Sequence, residues 1–311
     1  MINIFCINKL KVLIFIFLLP LTSIMTLGQS DTTAYFGFSV PKDKPEIFAP
    51  GFISLENRIE GRGTFSADNK QFYFTVSDEK FVNQKIFFTK LSGNQWSNPD
   101  TVDFSKNFAC WEPYLAYDNQ KIYFTGNKEL TDSSTNCGQG FYYTQKDENN
   151  WTEPQKLNKP ISSDSHDLFF TELANKRIYF TSNRPDRKNG FQIHFAHLLD
   201  DGEYEIKNIG LPINKGSYNW DPCISSDESF MIFVKVKMLR IIKKADLYIT
   251  FNKEGKWSKP KRLGHKINSN ANEYGPFLSN DGKYLFFTRL GKGNKGDIYW
   301  IDINSILKDQ D

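Results

Sequence analysis

"GPFLSNDGKYLFFTRL", residues 275–290, reads as an apolar run, a turn pivoting on Asp281-Gly282, and a second apolar run. The close of that second run returns along the chain. It appears as "KQFYFT" ending at Thr75, "KIYFT" at Thr125, "RIYFT" at Thr181, a degenerate "FMIFV" at Val234, and finally at Thr288. The steps between these ends are 50, 56, 53 and 54 residues. A near-constant period in this range marks a chain built from stacked copies of one supersecondary unit.

Each unit starts with a short first strand: "GTFSADN", "EPYLAYDN", "DLFFTELAN", "DPCISSDE" or "GPFLSNDG". A turn follows, carrying Asp68, Asp118, Asn175, Asp227 or Asp281. Such side chains accept hydrogen bonds from backbone N–H groups just ahead, which explains their recurrence without any catalysis. The second strand is an unbroken aromatic and β-branched run, as expected when a sheet is covered on both faces. The third strands are "KIFFTKL", "GFYYTQK", "FQIHFAHL", "ADLYITF" and "GDIYWIDI". A fourth is marked by an aromatic in "QWSNPDTV", "NWTEPQKL", "EYEIKNI" and "KWSKPKRL". Four antiparallel strands per unit at this spacing predict an all-β fold, a β-propeller of four-stranded antiparallel blades.

The last unit runs out after "GDIYWIDI" with no fourth strand. "PEIFAPGFI", residues 45–53, has the missing strand's shape, with Phe48 and Pro50 where Trp96 and Pro99 stand, allowing one residue of slip, and Phe48 precedes Trp96 by 48 residues. The expectation is five blades, with the N-terminal strand completing the last one and closing the ring, which removes exposed edges. Six blades is the alternative, if residues 31–44 build part of another.

The first 28 residues place Lys9 and Lys11 ahead of an apolar run from Val12 to Leu19, then small and polar residues to Gly28. This order predicts a cleaved signal peptide, and hence a periplasmic or extracellular protein. The apolar core is shorter than the ~20 residues that a spanning helix needs. No membrane span is therefore expected in the mature chain. The domain reading is residues 1–28 signal peptide, 29–44 an N-terminal extension and 45–311 a single β-propeller domain. Loss of the leader removes two lysines and no acid, so the net charge falls from +3 to +1. A nearly neutral chain makes no electrostatic case for nucleic acid. A monomer is expected.

The "S-x-D-G-K-x-x-x-F" of Ser279–Phe287 and the "DIYW" of Asp297–Trp300 resemble the WD40-like, TolB-type propeller repeat. "PEIFAPG" at 45–51 and "ADLYITFNKEGKWSKPKRLGHKINS" at 245–269 resemble exported propellers of Bacteroidetes-type bacteria. The resemblance spans residues 45–304. It implies the fold, and a function drawn from propellers that serve mainly as binding platforms and in some lineages as hydrolases. TolB-type proteins imply six blades, where this chain shows five.

In a blade, the linker into the first strand shares one face of the ring with the loop between strands two and three, where variable loops carry function. The residues there are Glu60 with Arg62, Trp111-Glu112, His166-Asp167, Trp220-Asp221 and Glu273-Tyr274. An aromatic beside a carboxylate suits a sugar: rings stack on apolar faces, carboxylates accept from hydroxyls, and two carboxyl groups suitably apart hydrolyse a glycosidic bond. The competing reading ties these acids to backbone N–H groups between blades and packs Trp111 and Trp220 between sheets. The sequence favours a non-catalytic scaffold binding a protein or glycan ligand through Trp111, Glu112, His166, Asp167, Trp220, Asp221, Glu273 and Tyr274. A glycan-active hydrolase using Glu112, Asp167 and Asp221 is the alternative.

No cofactor and no metal are expected. His194 and His197 form H-x-x-H, but positions i and i+3 of a strand face opposite ways and cannot share an ion. No G-x-S-x-G, H-E-x-x-H or phosphate-binding glycine loop occurs. Export permits a Cys110–Cys137 disulfide, leaving Cys223 unpaired in a buried first strand. The basic, apolar "KVKMLRIIKKADL", residues 235–247, is expected to prolong strands two and three of the fourth blade.

Overall fold

The computed structural model describes residues 34–127, 139–148, 150–185, 190–216, 218–239, 242–291, 293 and 295–308. Five antiparallel meanders follow one another along them. Their first strands are Ile59–Phe65, Ala109–Leu115, Asp167–Glu172, Asn219–Ile224 and Asn272–Leu278. Each pairs with an apolar second strand: Gln71–Ser77, Lys121–Asn127, Ile178–Ser182, Phe230–Leu239 or Tyr284–Leu290. Second strands pair in turn with third strands Lys85–Ser92, Gly140–Asp147, Gln192–Leu198, Ile242–Lys253 and Gly296–Asp302.

The turn side chains do what the repeat predicted. Asp118 accepts from Gln120 N, Asn175 from Arg177 N, Asp227 from Ser229 N and Asp281 from Lys283 N, at 2.9–3.1 Å. The fourth strands are shorter than their sequence suggests and mostly broken in two, as in Gln95–Trp96 with Asp100–Thr101 and Lys256–Trp257 with Lys261–Arg262. Pro99 and Pro260 fall in these breaks, because proline cannot donate to the ladder. The third strand's threonine covers the gap: Thr89, Thr144 and Thr250 donate to the carbonyls of Ser97, Thr152 and Ser258.

The N-terminal segment lies against the last meander. Glu46–Ile47 pairs antiparallel with Gly296–Asp302, placing Glu46 opposite Trp300, and Phe48 N donates to Ile298 O at 2.7 Å. Phe48 is fully buried among Phe72, Phe286 and Trp300. Tyr35, in the segment expected to precede the domain, enters the same cluster edge-on to Phe65 and Tyr284. Burying one such ring is worth roughly 1.5–3 kcal/mol, so this segment is a structural member of the domain.

Successive first strands touch one another, and the fifth touches the first. All five carry a β-bulge at corresponding positions. The basic stretch does extend its hairpin, with pairing continuing to Leu239 opposite Ile242. His194 is buried beneath Phe180, whereas His197, half-buried, meets Glu205 at 3.1 Å, which is the opposite-face arrangement expected of i and i+3. Cys110 and Cys223 are free, buried thiols, Cys110 donating to Ser105 Oγ at 3.1 Å. Cys137, the expected partner of Cys110, lies outside the described residues.

Candidate active site at the propeller mouth

The bulges decide which mouth residues face the centre. Glu60, Cys110, Asp167, Asn219 and Glu273 stand at equivalent ladder positions, opposite Val76, Gly126, Ser182, Lys235 and Arg289. Two residues later come Arg62, Glu112, Phe169, Asp221 and Gly275, and these occupy the bulges. Four of the five are held left-handed: Glu112 at φ 58°, Phe169 at 62°, Asp221 at 52° and Gly275 at 54°. For side-chain-bearing residues that conformation costs energy and persists only where its surroundings enforce it.

Those surroundings include the threonine of the recurring "YFT". Thr75 Oγ1 accepts from Glu112 N at 2.8 Å and Thr181 Oγ1 from Asp221 N at 3.1 Å. Thr125 Oγ1 donates to Glu112 Oε2 at 2.9 Å, and Thr288 Oγ1 to the Glu60 carbonyl at 3.1 Å. The repeat thus returns with a threonine because its hydroxyl pins a bulge, either in its own meander or in the next.

Of the four sequence-nominated carboxylates, Glu112 and Asp221 line one cavity, near enough for the charge of Asp221 to act on Glu112. Glu112 Oε2 also accepts from Phe169 N at 3.0 Å, and Asp221 Oδ2 accepts from Gly275 N at 2.8 Å. Asp221 Oδ1 has no hydrogen-bond partner among the described residues. Arg62 joins them from the first strand, its Nη2 donating to the Phe170 carbonyl at 3.1 Å and to Thr171 Oγ1 at 2.5 Å, its Nη1 unpartnered. Burial, then the charge of Asp221, pushes the Glu112 carboxyl up to about 8, against the pull of Arg62 and two hydrogen bonds. Burial likewise pushes Asp221 up to about 7. Burial thus raises both carboxyls above the ordinary carboxylate range, and the charge of Arg62 pulls both back.

Above this floor opens a cavity of about 370 Å³. Trp111, Leu168, Phe169, Phe191, Trp220 and Tyr274 form most of its wall, with Phe81 at the rim. Trp111 is buried; Trp220 and Tyr274 are half-buried, both packing on the core and facing the cavity.

The structure corrects three nominations. Asp167 points away into its own connector, accepting from Ser163 N and Oγ, Ser182 Oγ and Arg184 Nε at 2.6–3.2 Å. Glu273 does the same with Ser269 N, Ser269 Oγ and Arg289 Nε at 2.6–3.2 Å. His166 accepts from Gln139 N at 3.3 Å and is outside the cavity wall. Glu273 stands, like Cys110, two residues before the bulge, and for His166 and Asp167 the cause is register. Leu168 faces Thr181 across 13 positions, where Gly61–Thr75, Trp111–Thr125, Trp220–Val234 and Tyr274–Thr288 all span 14. The third hairpin is one residue shorter, and Leu168-Phe169, not His166-Asp167, matches Trp111-Glu112. Sequence reasoning placed Arg62 at the mouth without a part in the site and gave Phe81, Phe169 and Phe191 no place there; lining up the bulges would have found Phe169.

No protein-family model matches the sequence, and no curated protein matches it. Solved structures do, and they define an all-β protein of the β-propeller class. The fold is similar to that of an α-L-arabinofuranosidase from Lactobacillus brevis, with TM-score 0.52 and 15% identity over 80% of this chain and 91% of that one. It is also similar to the catalytic domain of a Coprinopsis cinerea GH62 α-L-arabinofuranosidase, with TM-score 0.50 and 8% identity over 84% and 97%. At these identities the likeness shows the fold. With glycoside hydrolases as the fold's neighbours and two carboxyl groups in its mouth, the expectation of a non-catalytic scaffold is overturned.

Proposed function

We propose that this protein is a glycan-active hydrolase, with Glu112 as general acid and Asp221 as general base at the mouth of the propeller. The observation that carries the reading is that these two buried carboxyl groups and Arg62 line one aromatic-walled cavity and act on one another through their charges. Glycoside hydrolysis needs one carboxyl protonated to meet the leaving oxygen and one ionised to act from the other side. Burial and mutual repulsion supply that split here. The glycosidic C–O bond breaks as Glu112 gives its proton to the leaving oxygen. Asp221 takes a proton from the water whose oxygen bonds to the anomeric carbon. Arg62 keeps the floor neutral while one carboxylate is charged.

The same reading takes the propeller as five TolB-type blades closed by the N-terminal strand, acting as an exported monomer on a glycan partner. The fold neighbours make α-L-arabinofuranosides the first substrates to assay. The purified protein is offered 4-nitrophenyl glycosides, arabinofuranoside first, together with arabinoxylan and other plant and microbial glycans, and released sugar is measured. Glu112→Gln and Asp221→Asn should each lower kcat by about 100-fold or more. Hydrolysis that survives both substitutions, or release of no sugar from any glycan, would overturn the assignment.

A further inference from the structure

The floor of the cavity is polar, but its wall is not. Among the described residues that line it, apart from Gln84 and the hydroxyls of Thr75, Ser77, Tyr274 and Thr288, the side chains besides Arg62, Glu112 and Asp221 are apolar or aromatic. An oligosaccharide rising through such a wall would bury most of its hydroxyl edges against ring and aliphatic carbon, at about 1–3 kcal/mol for each one left unpaired. Aromatic rings offer stacking to faces only. A ligand with one sugar on the floor and a flat apolar group above it fits both parts.

The rim carries an independent sign of the same preference. Phe81 lines the cavity yet stays 45% exposed, and it is held left-handed at φ 57°. Its loop is braced by Asp78, whose carboxylate accepts from Lys80 N, Val82 N, Asn83 N and Asn83 Nδ2 at 2.8–3.3 Å, while Phe81 N donates to Asp78 O at 3.1 Å. A large ring kept in a costly backbone conformation without being buried is preorganised to be covered by something else. On the same wall Phe191 stands edge-on to Trp220, with centroids 5.6 Å apart. Trp220 Nε1 is a buried donor with no partner among the described residues. Arg62 Nη1 and Asp221 Oδ1, on other residues lining the cavity, are likewise buried without a partner among the described residues.

We propose that the cavity takes aryl glycosides, the sugar on the Arg62–Glu112–Asp221 floor and the aromatic leaving group against Phe81, Phe191 and Trp220, with Phe81 the residue that selects it. This rests on the hydrolase reading for the term leaving group, but not for the binding geometry.

The test therefore has a binding arm. Phenyl and methyl 1-thioglycosides, which resist hydrolysis, are titrated against wild type by calorimetry and tryptophan fluorescence, for α-L-arabinofuranose, β-D-xylose and β-D-galactose. In the kinetic arm, kcat/KM is compared between a 4-nitrophenyl glycoside and an unsubstituted oligosaccharide carrying the same terminal sugar. Phenyl should bind at least tenfold tighter than methyl for at least one sugar. Phe81→Ala should cost that ligand about fivefold to tenfold, as loss of one aromatic contact does, while Phe81→Leu retains most of the affinity. The kinetic loss should fall on KM for the aryl substrate and be at least threefold smaller for the oligosaccharide. Aryl binding that depends on Phe81, without turnover of any glycoside, would refute the hydrolase reading and keep the site. Equal binding of phenyl and methyl, no binding of either, or Phe81→Ala harming both substrates alike would overturn the inference.

Discussion

Replacing Glu112 by Gln separates a catalytic acid from a structural one. Its carboxyl sits at about 8 in the folded protein against an ordinary value of 4.5. A raised carboxyl pKa means that folding favours the protonated form. The associated stability is therefore full below about 4.5 and is lost as pH rises towards 8. The difference is about 3.5 units, or about 5 kcal/mol at 1.36 kcal/mol per unit, nearly all of it lost by pH 8. Gln cannot ionise, and its amide oxygen can still accept from Thr125 Oγ1 and Phe169 N. The variant should melt with wild type near pH 4 and progressively above it towards pH 8. For a chain of this length about 2 °C per kcal/mol gives a gain near 10 °C. Hydrolysis should fall by at least about 100-fold over the same range. Differential scanning calorimetry from pH 4 to 9, with kcat/KM on one glycoside, reads both effects. A variant that melts at or below wild type at pH 8 would refute the reasoning, because it would mean that Glu112 is an ionised partner of Arg62 holding the floor together.

Three other outcomes follow from the geometry. The pH dependence of kcat/KM should be a narrow bell with apparent values for the coupled pair near 7 and 8, and Asp221→Asn should abolish the acid limb; a flat profile from pH 5 to 9 would exclude the acid–base split. Asp167→Ala should cost about 3–5 kcal/mol by leaving Arg184 without its carboxylate, yet leave kcat of the folded fraction unchanged; a kcat loss without a fall in melting temperature would return Asp167 to the site. Phe48→Ala should cost about 3–5 kcal/mol in a denaturant melt, since the ring is fully buried between the N-terminal segment and the last meander; a neutral result would mean that this segment does not secure the fold.

What the sequence determined by itself is the repeat and its punctuation. A turn acid needs only N–H groups within a few residues, and a covered second strand needs only its own apolar run, so Asp281 and "YLFFT" are legible locally. The antiparallel pairing of Glu46–Ile47 with the last meander's third strand was legible for the same reason, because similar strands carry similar patterns. Tertiary structure alone decided which acids face the mouth. Asp167 and Asp221 read alike in the chain, but a bulge separates them, and a bulge turns the next side chain to another face. Its place depends on threonines from strands 13–40 positions away, and the charge that makes the pair useful, Arg62, is anchored to carbonyl and hydroxyl groups more than 100 residues further on. Spacing along the chain carries no trace of that contact. The raised carboxyls at the mouth are a property of burial, and burial exists only once the strands have come together.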